Sequence, residues 1–361
     1  MRVAFRTDAS SQIGTGHVVR CLTLADALRE QGAECQFVCR EHEGHLMDHI
    51  RSRGYEAHAL PKPSENTSFT SELAHAHWLG VDWQADAGQT RQALGSEVFD
   101  WLIVDHYALD HRWESALRSS CKRIMVIDDL ADRQHDCDLL LDQNYGSSSE
   151  RYRGLVPADC AQCHGPEYAL LKPVYAERRA QLPARDGQVR RVLIYFGGGA
   201  DAANLTRLAV QAFQAPELAH IELDIVVGAA YAHQSSLEEL VAQRGNATIH
   251  RQLPDLADLM AMANLAIGAG GATTWERFCM GLPTIVISIA ENQRPACEAL
   301  SADNLIFYLG HVDEITCELI RDRILSCLGK PNFLRVLSER GIKLVDGFGI
   351  DRILAEIRAA S

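Results

Sequence analysis

The sequence predicts two Rossmann-like α/β domains, and three observations carry that expectation. At 361 residues the chain exceeds the usual size of a single core. Apolar runs of strand length alternate with stretches of helical spacing through both halves. Glycine-rich turns recur where a strand gives way to a helix, at 14–16, 197–199 and 268–271.

In the first half, VAFR at 3–6 reads as a strand, His17 to Gln31 as a helix stopped by Gly32, and CQFVC at 35–39 as the next strand. Val18, Leu22, Ala25 and Leu28 share the helix face that packs on a sheet, while Arg20, Asp26, Arg29 and Glu30 fall largely elsewhere. Gly32 suits the left-handed position that ends a helix. A helix near His45 to Arg53 ends at Gly54, and YEAHAL runs extended toward Pro61. Residues 64–80 read as loop plus helix. WLIVDHY at 101–107 has the continuous apolar character of a parallel strand covered on both faces, its carboxyl end opening on a ligand crevice, and RIMVIDD at 123–129 repeats the pattern.

The stretch 144–190 is rich in turns and holds the interdomain connection, which sets the domains at 1–175 and 176–361. In the second half VLIYF, LDIVVG, ATIHRQ, LAIGAGG, TIVIS and NLIFYL read as strands with helices between them. The closing GIDRILAEIRAA is a helix with Ile350, Ile353, Leu354 and Ile357 on one side; it could pack on either domain and falls within the bounds of the second.

Composition narrows the function. A formal charge of -13 disfavours nucleic acid and anionic membranes as partners, since both select cationic surfaces. No signal-like leader and no apolar run of membrane-spanning length is found, so a cytoplasmic protein without a membrane partner is expected. Eleven scattered cysteines suit reduced, mostly buried thiols.

The first glycine turn carries the sharpest signal. Against the dinucleotide fingerprint, Gly14 and Gly16 should be followed by a third glycine where Val19 stands, so nicotinamide binding loses support. His17 begins the helix instead, where the positive helix end disfavours the imidazolium and leaves a base able to take a proton from water. A lone histidine there more often caps its helix, but Gly14 and Gly16 let a ligand approach it and serve no evident packing role. The later turns offer Gly198, Gly199 and Gly271 to a diphosphate held without a metal. Thr273 and Thr274 can donate hydroxyls, and Glu276 can accept from a ribose diol; taken separately, all three read as helix capping. Cys160-Ala-Gln-Cys163-His164 matches the haem-attachment pattern by chance. His42, His45 and His49 read as a solvated face, and the acids at 128–138 as loop caps. No metal and no cofactor is called for.

RTDASSQIGTGHVVR, VDHYALD, Asp128-Asp129, GPEYALLKP, FGGGAD, GATTWE and ENQ at 291–293 together resemble the UDP-2,4-diacetamido-2,4,6-trideoxy-β-L-altropyranose hydrolases of pseudaminic acid biosynthesis. The resemblance runs in order from residue 1 to about 300, and the opening SSQIGTGHVVR is its most specific part. The later motifs are shared with the wider glycosyltransferase-B superfamily. It implies a GT-B fold, two Rossmann-like domains facing a cleft, with UDP on the second and the sugar reaching toward the first. It further implies that His17 directs water at the anomeric carbon with inversion, that Tyr107 orients water or sugar, that Asn292 contacts the ligand and that Glu276 holds the ribose. Lys172, ahead of Pro173, takes the place of a basic residue and would meet phosphate as a point charge. The alternatives are an inverting UDP-sugar glycosyltransferase and a noncatalytic nucleotide-sugar sensor, which would have no use for His17.

Overall fold

The computed structural model describes residues 1–63, 73–229 and 231–360. Of the stretch expected as loop plus helix, residues 64–72 lie outside the described residues; a short 3-10 turn, Ala76–Trp78, follows them. The chain forms two compact units, Met1–Leu170 with Gly349–Ser361, and Leu171–Phe348.

The first unit is a parallel sheet of β1 (Arg2–Thr7), β2 (Glu34–Arg40), β3 (Glu56–Leu60), β4 (Phe99–Asp105), β5 (Cys121–Ile127), β6 (Leu139–Asp142) and β7 (Ala161–His164). Its spatial order is β3-β2-β1-β4-β5-β6-β7. The central strands are apolar on both faces because helices cover both: Leu102, Ile103 and Val104 of β4 are all buried. β6 and β7 escape sequence patterning. LLLD is too short to show a period and AQCH too polar to read as core; pairing of Leu139–Asp142 with β5 and of Ala161–His164 with Leu139–Asp142 makes them strands.

The second unit contains β8 (Arg191–Tyr195), β9 (Glu222–Val227), β10 (Ala247–Arg251), β11 (Leu265–Ala269), β12 (Thr284–Ser288) and β13 (Phe307–His311), all parallel in the order β10-β9-β8-β11-β12-β13.

Two expectations need correction. The closing helix Gly349–Ala360 belongs to the first unit, where Ile350, Ile353, Leu354 and Ile357 join the core containing Val18, Leu22 and Leu28, so the second unit ends at Phe348 and not at 361. Gly349 seats it: a Cβ there would lie 2.3 Å from the Ala169 carbonyl oxygen. The junction also falls at 170/171 and not at 175/176. Arg20, assigned to the polar side of its helix, is only 7% exposed, for a reason that the site explains.

Candidate active site

In the first sheet β1 leads outward through β2 and β3, and β4 outward the other way through β5. The loops leaving β1 and β4 therefore part at their carboxyl ends and leave a crevice. Thr7 and Asp105, the last residues of the two strands, are paired in register. Beyond β1 the chain folds back on itself: the Gly14 amide donates to the Ser10 carbonyl at 2.9 Å, and Ser10 Oγ accepts from the Gln12 and Ile13 amides. Gly14 sits at φ +82°, a conformation that costs a side chain strain. The helix Gly16–Glu30 starts directly afterwards and brings His17 over the end of β4. Gly16 is exposed, and a Cβ added to it would meet nothing within 4 Å, so approach here is open.

His17 Nδ1 lies 2.6 Å from Asp105 Oδ1. Burial of Asp105 works against its charge, yet Arg20 and His17 hold its carboxyl well below the usual carboxylate range. An ionised carboxylate only accepts, so Nδ1 carries the hydrogen and donates it, and Nε2 is left with the free lone pair. The pair thus orients the imidazole with Nε2 directed away from Asp105, the geometry that general-base catalysis requires.

Arg20 is buried because Asp105 and Asp129 both claim it. Its Nε and Nη2 donate to the two Asp105 oxygens at 2.6 and 2.7 Å, and its Nη1 donates to Asp129 at 2.7 Å. Tyr107 meets His17 edge-on, with ring centroids 4.6 Å apart, and stacks at 5.5 Å on Trp78. Its hydroxyl donates to Asp129 Oδ2, and burial together with that carboxylate pushes the phenol well above its ordinary range. The hydroxyl expected to orient water or sugar is therefore committed to Asp129, and the Tyr107 ring is what stands beside the imidazole. Asp105, Arg20, Asp129 and Trp78 were not among the residues singled out as site residues. Asp105 ends the strand-like run WLIVD, and Arg20 stands one helical turn from His17; these are the signals that could have found them.

Behind this cluster the first two strands rest on buried charge. Arg6 and Arg40 both donate to Asp86, which also accepts from the Trp113 indole at 2.9 Å. His42, expected on a solvated face, has its Nε2 3.6 Å from buried Asp8. Asp128 anchors its loop, accepting from the Ala131 amide and the Tyr152 hydroxyl.

The second unit has its own point of divergence between β8 and β11, and the remaining candidates gather on the loops there. After β8, the Gly198 carbonyl backs onto Gly228, where a Cβ would fall 2.1 Å from it, and Gly199 faces open space. The helix Leu205–Ala212 that follows is closed by Asp201, whose carboxylate accepts from the Leu205 and Thr206 amides at 2.9 Å. After β11, Gly271 and Thr273 open the helix Thr273–Cys279; its N-cap is Ala272, with no side-chain capping bond. The hydroxyl of Thr274 is used by Arg277, which donates to it at 2.9 Å. Glu276 is partly exposed, and desolvation lifts its carboxyl to about 7, against the pull of the Tyr175 hydroxyl and Lys172. Lys172 also donates to the Pro254 carbonyl. Asn292 is exposed, in the 3-10 turn Glu291–Gln293, while its neighbour Gln293 accepts from the Ile289 amide at 3.0 Å and faces Gly271.

Residues 192–299 match the family described as glycosyltransferase family 28 C-terminal domain. The spore coat polysaccharide biosynthesis protein SpsG of Bacillus subtilis is 23% identical over 98% of this chain and 97% of its own length. A UDP-2,4-diacetamido-2,4,6-trideoxy-beta-L-altropyranose hydrolase of Campylobacter jejuni is 25% identical over 81% of this chain and 93% of that protein. The crystal structure of Acinetobacter baumannii MurG superposes with a TM-score of 0.65 at 14% identity, covering 99% of both chains. The chain has the GT-B fold. Among the described residues, no helix is long and apolar enough to cross a membrane, and no group of three or more His, Cys, Asp or Glu side chains is disposed to hold a metal ion.

Proposed function

We propose that the chain is a nucleotide-sugar hydrolase that releases UDP from UDP-2,4-diacetamido-2,4,6-trideoxy-β-L-altropyranose by inverting attack of water at the anomeric carbon. The observation that carries this reading is the His17–Asp105 hydrogen bond, which reserves Nε2 as a base. In this mechanism the water oxygen bonds to C1 while the bond from C1 to the diphosphate oxygen breaks. The water proton passes to His17 Nε2, and the bonding electrons leave with UDP. UDP is a good leaving group, so backbone amides of the glycine turns at Gly198, Gly199 and Gly271, with Lys172, suffice to bear its charge without a metal. Glu276 takes the ribose, Thr273 offers its hydroxyl at the helix start, and Asn292 contacts the ligand. The named Campylobacter relative supports this substrate.

The match of residues 192–299 to a glycosyltransferase domain favours a second reading, in which the same Nε2 deprotonates an acceptor hydroxyl. Incubation with a panel of UDP-sugars in ¹⁸O-labelled water, following UDP and the released sugar by NMR and mass spectrometry, separates the two. The hydrolase gives free sugar of inverted configuration with label at C1. Label in UDP, or no UDP release until an acceptor is added, overturns it. A noncatalytic sensor would bind UDP-sugar unchanged in His17→Asn and turn none over in either form.

A further inference from the structure

Asp105 accounts for the orientation of the His17 ring, yet the site contains a second layer of charge. Arg20 is 7% exposed and Asp105 fully buried, and the Asp129 side chain is 15% exposed, so these charges act on one another with little screening by solvent. Arg20 closes its fork on Asp105 and bridges to Asp129. Its Nη2 also stands 3.4 Å from His17 Nδ1, so the guanidinium flanks the imidazole as well as the carboxylate. Asp129 Oδ2, which accepts from Arg20, also accepts from the Tyr107 hydroxyl, and its Oδ1 accepts from Asn144 Nδ2 at 3.0 Å.

We infer that Arg20 and Asp129 are positioning residues that set, through opposed charges, the pH at which His17 becomes a working base; this rests on the reading of His17 as that base. With the imidazole neutral, two carboxylates face one guanidinium and the cluster is net negative. A proton on His17 balances it. Asp105 alone, in direct contact, would hold that proton and silence the base at neutral pH. Arg20 offsets the pull, and Asp129 returns part of it. Arg133 stands 5.9 Å from the centre of the Tyr107 ring, its charge paired with Asp128 and Asp132. The other described groups against the imidazole add no charge of their own. Tyr107 is kept a phenol by burial. The Cys21 thiol, 3.5 Å from Asp105, is kept protonated in the same way. Burial also disfavours charge on His75 of the neighbouring segment, and Trp78 beside it is neutral.

The consequence is a pair of shifts of opposite sign. Arg20→Met leaves both carboxylates unopposed, so the acidic limb of the pH–rate profile should move to higher pH. Asp129→Asn removes a negative charge while keeping the side-chain shape, so the limb should move to lower pH; each shift is on the order of one pH unit. Arg20→Lys keeps the charge without the fork and should restore most of the wild-type position. A purely structural role would lower kcat in all three and leave the limb in place.

The test is an NMR titration of the His17 imidazole, assigned by comparison with His17→Asn, in the full-length wild type and the three variants without ligand, alongside pH–rate profiles for UDP release. Midpoints that move apart for Arg20→Met and Asp129→Asn support the inference. Midpoints that stay together, or move the same way, overturn it. Should Arg20→Met fail to fold, Asp129→Asn decides alone: no downward shift sinks the proposal. The titration needs no turnover, so opposed shifts in a protein that releases no UDP would uphold the electrostatics and sink the hydrolase reading instead.

Discussion

Each candidate side chain makes a separable demand at the residue scale. His17→Asn removes the only lone pair aimed away from Asp105, and kcat for UDP release should fall on the order of a hundredfold or more while UDP affinity is kept, as read by calorimetry. Tyr107→Phe loses the hydrogen bond to Asp129 but keeps the ring against His17. It should cost about 1 kcal/mol of stability in urea unfolding and leave kcat within about tenfold, whereas a hydroxyl that orients water would cost far more. Glu276 gives a pH dependence whose sign follows from its raised carboxyl. Between the ordinary carboxyl range, about 4.3, and about 7, the unfolded chain ionises this group while the folded chain keeps its proton, so stability falls as pH rises through that window. Glu276→Gln should melt at the wild-type temperature near the acid end and about 3 °C or more above it at pH 8, followed by circular dichroism across the range. The sequence offered His17 as the base because it follows a glycine pair at a helix start. It could not show that Arg20 is its neighbour in charge, because helical spacing gives the face of a residue and not the carboxylates that meet it from β4 and from the loop after β5.

Among the elements, the two that patterning missed and the one whose place it left open share a physical cause. β6 and β7 are strands only through their partners, and the closing helix shows an apolar side without showing what covers it. Ile353 of that helix is fully buried in the first unit. Ile353→Ala should therefore destabilise the first unit by about 2–5 kcal/mol, the cost of lost transfer energy plus a cavity. Tryptophan fluorescence reads it directly, since Trp101 and Trp113 lie in that unit and are buried. A transition that moves only for a reporter in the second unit, such as Trp275, would mean that the helix packs elsewhere.

For the molecule as a whole, thiol accessibility tests the packing of both units at once. All eleven cysteines are free, nine of them buried, with Cys35 and Cys317 partly exposed. Ellman's reagent should react with no more than about two thiols in the native protein, Cys317 ahead of Cys35, whose thiol burial pushes up to about 12, and with the full set in denaturant, because buried thiols resist forming the thiolate. More than a few fast thiols would contradict the cores described. By itself the sequence determined that the chain is two Rossmann-like units with glycine turns at the strand ends, because alternation of apolar runs with helical spacing is local information. It also singled out His17 as the candidate base at the first such turn. Tertiary structure alone decided which group orients the His17 imidazole: Asp105 is 88 positions away in the chain and reaches it only because β1 and β4 are neighbours where the sheet order diverges. It also decided where the last helix belongs, since burial depends on which surface is left uncovered and no single segment encodes that.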